Sequence, residues 1–321
     1  MKLLERSVRR LEHADALDRP AGTVVNAINK WLPPGRVKDA LSGTDLGHPV
    51  HPLLVTVPIG VWVSVGLLDA LGGRSARAAA TTLVGLGALA AVPATLTGAS
   101  DWADTLGAER RIGAVHAASN YAAIAAYVAS WTARRRGRHR VGIGLSAAGA
   151  GLLGVGGWLG GHLTYAAGVG VDTTAFSTLP SEWTDAAPET ALAGGEMGAV
   201  MVGTVSVLLV NRADGIVALS NRCTHRGAPL DDGSLDNRCI ECPWHGSRFG
   251  VGDGQVMRGP ATRPQQVYEA RVRNGRIQVR QPDEQRTLRT NPVASGKDDG
   301  TTQVAVRSTP EMPSRSARRR E

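Results

Sequence analysis

Two short segments of this chain gather soft and borderline metal ligands: Cys223-Thr224-His225-Arg226-Gly227 and Cys242-Pro243-Trp244-His245-Gly246-Ser247. Sixteen residues separate His225 from Cys242, so the pattern is C-x-H followed by C-x-x-H. Two thiolates and two neutral imidazoles can hold a zinc ion or the two irons of a [2Fe–2S] cluster. The flanking residues favour the cluster. Small Gly227 and Gly246 let the backbone turn tightly, which aims amide N–H groups at sulfur. Cys239 has no partner left among the three cysteines and is expected as a buried or free thiol.

These segments closely resemble the Rieske ferredoxin family, over about residues 183–281. The resemblance implies that Cys223 and Cys242 hold one iron and His225 and His245 the other. It also implies that Gly259-Pro260-Ala261 is a proline loop covering the cluster, with Ser247 beside it. Imidazoles in place of two thiolates leave less negative charge around the irons, and such centres span roughly −150 to +300 mV. Members from quinol-oxidising cytochrome complexes brace their cluster loops with a disulfide, at positions held here by Ala228 and Trp244. Phe249 stands where those members carry a tyrosine hydroxyl. Fewer hydrogen bonds to sulfur stabilise the reduced form less, so the expected potential is lower than in the braced type.

The elements around these loops read as β-structure. Apolar runs at 199–202, 205–210, 216–220, 266–272 and 276–279 are separated by turn signals such as Ala213-Asp214-Gly215 and Asn274-Gly275. The expectation is an all-β domain over 189–281, joined by a linker over 173–188 and followed by a disordered basic tail from 282.

The first half of the chain is of another kind. Four apolar segments, 52–71, 78–99, 113–132 and 141–163, are each long enough to cross a bilayer, and their only charge is Asp69. Short connections imply an up-down-up-down bundle over 46–172. Four such runs in close succession argue against buried helices of a soluble core. The last segment is rich in glycine, with Gly156/Gly160 and Gly157/Gly161 at the spacing that lets helices approach closely. Gly47-His48-Pro49-Val50-His51-Pro52, together with Asp101-Trp102, His116 and Gly160-Gly161-His162, resembles an uncharacterised bacterial family of four-span membrane domains. That resemblance supports the spans and implies no activity.

Four histidines, His48, His51, His116 and His162, fall near one face of this bundle, the face where the first span begins. Polar residues within spans are functional candidates by default, and neutral imidazole can ligate haem iron or hydrogen-bond a quinone. His116 and His162 are the preferred pair for haem b or quinone; His48 and His51 read as the start of a helix. Interfacial histidines satisfied by water are the plain alternative. The tail over 1–45 places Leu4, Val8 and Leu11, then Val24, Ile28 and Trp31, at helical spacing, which suits an interfacial or a solvated helix, and it shows no signal peptide.

The composition bounds the function. The chain has 321 residues, 40 glycines, three cysteines and a net charge of +8. Glycine has no collagen period, the cysteines are too few for a disulfide scaffold, and no aromatic-basic pattern points to nucleic acid. The expected role is a membrane-anchored one-electron carrier exchanging with a redox partner protein, a haem or the quinol pool. A redox sensor or assembly anchor is the non-enzymatic alternative. A complete oxygenase is not expected, because its mononuclear iron needs two further histidines and no histidine follows His245. Donation of electrons to a separate oxygenase stays open. Arginines at 74, 77, 134–136, 138 and 140 outnumber basic residues on the histidine face, which leans the β domain outside a bacterial cell membrane.

Overall fold

Among the described residues, helices come first and sheets follow. The computed structural model describes residues 2–236 and 238–282. The tail expected from 282 therefore lies, past its first residue, outside the described residues.

Three helices precede the bundle: α1 (Lys2–Glu12), α2 (Asp18–Trp31) and α3 (Arg36–Ser42). Helix α1 is not merely interfacial. Its Val8 is buried with Ile112, Leu159 and Leu163. Helix α2 buries Ala21 and Val25 rather than the expected stripe, leaving Val24 and Trp31 exposed. Arg111 pairs with Asp15 (2.7 Å), just before that helix, and with Asp18 (2.6 Å), its first residue.

The bundle follows as α4 (His51–Leu54), α5 (Thr56–Leu71), α6 (Arg77–Ala103), α7 (Gly107–Arg135) and α8 (His139–Tyr165). Among the described residues, three stretches are long and apolar enough to cross a membrane: His51–Leu71, Arg77–Ala103 and His139–Tyr165. Helix α7, the third of the four expected spans, is as long but does not meet that measure, because Glu109, Arg110, Arg111, His116 and Asn120 fall in its first half. Its polar groups face α8: Ser119 Oγ donates to Leu152 O (2.8 Å) and Ser130 Oγ to Gly142 O (2.6 Å). Trp62 and Tyr127 stack at the bundle centre, 4.0 Å between centroids and 3° from parallel. At the far end Arg134 grips Asp69 through two bonds of 2.8 and 2.5 Å.

A six-stranded antiparallel sheet follows, ordered β1-β10-β9-β4-β3-β2. Its strands are β1 (Thr184–Pro188), β2 (Met197–Val202), β3 (Val205–Arg212), β4 (Gly215–Ser220), β9 (Val267–Arg273) and β10 (Arg276–Arg280). Strand β1 lies inside the stretch expected as linker. A smaller sheet, β5-β6-β7-β8, comprises Ser234–Leu235, Cys239–Glu241, Arg248–Gly250 and Val256–Arg258. Strand β3 explains its own unbroken apolar run. Val207 and Leu209 point into one core with Ile277 and Val279, while Leu208 and Val210 point into another with Ile240 and Phe249. Each such side chain contributes about 1.5–3 kcal/mol by leaving water. The second core also holds Cys223, Cys242, Ala228 and Ala261, so the cluster loops stand on it.

Candidate iron–sulfur site

The two loops expected to hold the cluster, 223–228 and 242–247, are local copies of one turn. In the first, Cys223 N–H donates to Ala228 O (2.9 Å) and Gly227 N–H to Cys223 O (2.8 Å). In the second, Cys242 N–H donates to Ser247 O (2.8 Å) and Gly246 N–H to Cys242 O (3.1 Å). Gly227 and Gly246 share φ of +73°, a left-handed conformation that explains why both positions are glycine. The copies differ in one respect: the histidine stands two residues after Cys223 but three after Cys242.

Each turn aims donors at its sulfur. The N–H groups of His225 and Arg226 donate to Cys223, and those of Trp244 and His245 to Cys242. The sulfurs face each other closely enough to share a hydrogen bond. That bond lowers the Cys242 thiol to about 7 and raises that of Cys223. The imidazoles also face each other, 5.1 Å between centroids at 89°. Their Nδ1 atoms are buried without a hydrogen-bond partner. Burial, then the nearby His245 and Lys38, pushes His225 down to about 3, and burial also lowers His245. Both rings are thus neutral, the form that ligates metal.

This donor set fits a two-iron cluster. Two imidazoles on one tetrahedral ion place their centroids roughly 5 Å apart, given metal–nitrogen bonds of about 2.0–2.1 Å. Among the described residues no three His, Cys, Asp or Glu side chains converge as the ligands of a single ion. Zinc, which takes four ligands at one centre, is therefore the poorer match.

The surroundings close over this site. Ser247 is fully buried, and its Oγ accepts the Ala261 N–H (3.0 Å), leaving its own proton to be donated. Pro260, buried in the same loop, follows a cis Gly259-Pro260 bond. Gln265, which sequence reasoning missed, ties the loops together. Its Nε2 donates to Ser220 O (2.7 Å) and Arg222 O (2.6 Å), and its Oε1 accepts from Thr224 N–H (3.3 Å). Phe249 is fully buried beneath, and Cys239 is a buried free thiol in β6.

The helical region supplies the rest. Asp104, just past α6, accepts from Lys38 Nζ at 2.9 Å, and its Oδ2 lies 3.8 Å from His225 Nε2. Arg226 pairs with Glu109. No spacing in the sequence marked Lys38 or Asp104.

The histidines of the bundle are distributed otherwise than expected. His116 and His162 do not meet. The Nδ1–H of His116 donates to Gly156 O (2.8 Å), and His162 sits six residues further along α8, about 9 Å away along the axis. His162 turns instead to Glu12 (3.8 Å). The partner of His116 is His51, 6.5 Å between centroids. His48 is exposed.

Comparison with known proteins agrees with the geometry. Residues 182–269 match the family described as Rieske [2Fe-2S] domain, and residues 47–173 match that described as Predicted membrane protein (DUF2231). The ferredoxin component of naphthalene 1,2-dioxygenase/salicylate 5-hydroxylase systems from Ralstonia sp is 32% identical over 102 residues, covering 32% of this chain and 98% of the relative. The chain belongs to the Rieske [2Fe–2S] family. Ferredoxin CarAc of Metapseudomonas resinovorans is 37% identical over 78 residues, covering 24% of this chain and 73% of that one. The ferredoxin of carbazole 1,9a-dioxygenase from Nocardioides aromaticivorans IC177, a solved structure, is 32% identical and covers 32% of this chain and 100% of its own, with a TM-score of 0.30. The Rieske domain thus carries a [2Fe–2S] cluster and occurs in one chain with a membrane-protein domain.

Proposed function

We propose that this chain is a membrane-anchored one-electron carrier whose Rieske cluster exchanges electrons with a haem or quinol at the membrane face where its ligand loops lie. Cys223 and Cys242 hold one iron; His225 and His245 hold the other. When bound, the cluster supplies reversible one-electron transfer. The chain's own residues do the remainder. Backbone N–H groups from 225, 226, 244 and 245 neutralise sulfur charge, Ser247 and the 259–261 loop exclude water, and Gln265 keeps the loops in register. Helix α7 is the third of four spans, its polar face turned to α8 and its apolar face to lipid.

The observation that carries this reading is the contact of the histidine-bearing loops with the helical region, through Asp104–His225 and Glu109–Arg226. A soluble ferredoxin must offer its histidines to a soluble partner. Here that edge is turned toward α6 and α7, so the near exchange partner is in the membrane. A second reading, donation to a separate oxygenase, draws on the ferredoxin relatives named for such systems. Trp244, 48% exposed beside His245, is the free edge it would use.

Purified full chain in lipid discs separates these. Stoichiometric acid-labile sulfide and reduction of the cluster by a quinol are expected; bound zinc without sulfide would overturn the assignment. Reduction only by a soluble reductase, with quinol inert, would favour the second reading. Protease treatment of spheroplasts is expected to remove the Rieske domain, and full protection would reverse its side.

A further inference from the structure

At the end of the bundle remote from the cluster loops, a cavity of about 190 Å³ opens where α5 and α7 stop and α6 and α8 begin. Its polar lining is Asp69, Arg74, Arg77, Arg134 and His139. Three guanidiniums thus meet one carboxylate. Arg134 is matched with Asp69 through bonds of 2.8 and 2.5 Å. Arg74 and Arg77 are the excess: both are exposed, and no carboxylate pairs with either among the described residues.

The buried side of the cavity is also short of partners. Arg134 donates from Nε to Ser130 Oγ (3.1 Å) and from Nη2 to Ser146 Oγ (3.3 Å), besides its two bonds to Asp69. Of the five N–H groups of a guanidinium, one on Nη1 is therefore left. His139, the first residue of α8, has its Nδ1 buried without a hydrogen-bond partner. A guanidinium can only donate, so the occupant this lining suits accepts hydrogen bonds and carries negative charge. The rim shows what else that occupant carries. Leu68 and Ile143 complete the wall, and Leu71 and Val141, two residues beyond Asp69 and His139, are 83% and 54% exposed. Apolar side chains exposed in the end turns of a span face lipid at the headgroup boundary.

We propose that this cavity binds the phosphate of an anionic phospholipid. Arg74 and Arg77 pair with the phosphate oxygens, the free N–H of Arg134 donates from within, and the acyl chains run outside Leu68 and Ile143. Guanidinium and phosphate oxygens match in geometry as well as charge, and basic pockets between membrane helices are suited to lipid headgroups. Asp69 does not oppose this, because its charge is already spent on Arg134. A zwitterionic lipid fits less well, since its own cation would meet the two uncompensated arginines. The site is independent of the electron-carrier reading: neither needs the other.

The test uses the full chain, purified with its cluster in detergent and titrated in turn with phosphatidylglycerol, phosphatidylcholine and inorganic phosphate. Native mass spectrometry reads binding, and the Rieske electron-spin signal reports that each variant is intact. Phosphatidylglycerol is expected to bind more tightly than either of the others. Arg74→Gln and Arg77→Gln are each expected to weaken it about fivefold, and Arg74→Lys to recover most of the loss. Arg136→Gln/Arg138→Gln removes two charges at the same end of the bundle but outside the cavity, and is expected to leave binding unchanged. Equal weakening by that control would mean that diffuse charge attracts the lipid, and would overturn the site. Equal affinity for phosphatidylcholine would overturn it too. Inorganic phosphate bound as tightly as phosphatidylglycerol, and lost in the same variants, would overturn the lipid as its source. Where a glutamine variant loses the Rieske signal, Ile143→Trp decides, because it fills the cavity and leaves every charge in place: weakened phosphatidylglycerol binding supports the site, and unchanged binding overturns it.

Discussion

Asp104 Oδ2 lies 3.8 Å from Nε2 of His225, while the other oxygen of the same carboxylate is held 2.9 Å from Lys38 Nζ. Both members of the ion pair are nearly inaccessible, at 3% and 5% of side-chain area. An imidazole proposed to ligate the cluster therefore faces a buried charge pair contributed by another part of the chain. At short range and low dielectric such charges act strongly on a redox centre.

Substitution on either side of that pair should move the reduction potential in opposite directions. Asp104→Asn removes a negative charge that opposes electron uptake, and is expected to raise the potential. Lys38→Met leaves the carboxylate unneutralised and is expected to lower it. Potentiometric titration followed by electron-spin resonance reads both. Shifts of the same sign would mean that the pair acts through folding alone, since breaking a buried pair also costs about 3–5 kcal/mol.

Ser247 offers a second handle on the potential. Its Oγ already accepts the Ala261 N–H, so its proton is free to be donated inward. Ser247→Ala should lower the potential, because a donor that favours the more negative, reduced cluster is lost. Retained iron and sulfide in the variant confirm that the cluster is still present. An unchanged potential would place that hydroxyl outside the cluster's reach.

The Arg226–Glu109 pair should govern docking of the first cluster loop. Glu109→Arg sets two cations against each other and is expected to speed amide exchange over 223–228. The double reversal Glu109→Arg/Arg226→Glu should restore much of the protection. Equal exchange in wild type and single variant would mean that the contact contributes nothing to docking.

At the opposite end of the bundle, Arg134 is 1% exposed and also donates to Ser130 Oγ at 3.1 Å. Arg134→Ala strands the Asp69 carboxylate and should cost about 3–5 kcal/mol. Thermal unfolding in detergent should show the loss, and Arg134→Leu/Asp69→Leu should recover most of it. A single variant as stable as wild type would show that water reaches Asp69 freely.

Much of this architecture could be read locally. Strands β2, β3, β4, β9 and β10 carry alternating or continuous apolar runs closed by turns such as Asn274-Gly275, both at positive φ (51° and 71°). Strands β5 to β8 could not be read so, because pieces of two or three residues leave no period to detect. Helix α7 shows a related limit: the expected span over 113–132 lies inside a longer helix, Gly107–Arg135, whose polar groups spent on α8 dilute the apolar signal.

The two turns that carry Cys223, His225, Cys242 and His245 were legible because residue type, glycine and spacing are all local. A residue fixes its own donor atoms, and two or three intervening residues fix their reach. What only the tertiary structure decided is which distant groups face one another. Thr97 brings His51 to α6 across 46 residues, and Lys38 reaches Asp104 across 66. Nothing near either end of such a pair encodes the other. The rise and rotation of packed helices select His51 over His162 as the neighbour of His116, and set a buried carboxylate beside His225.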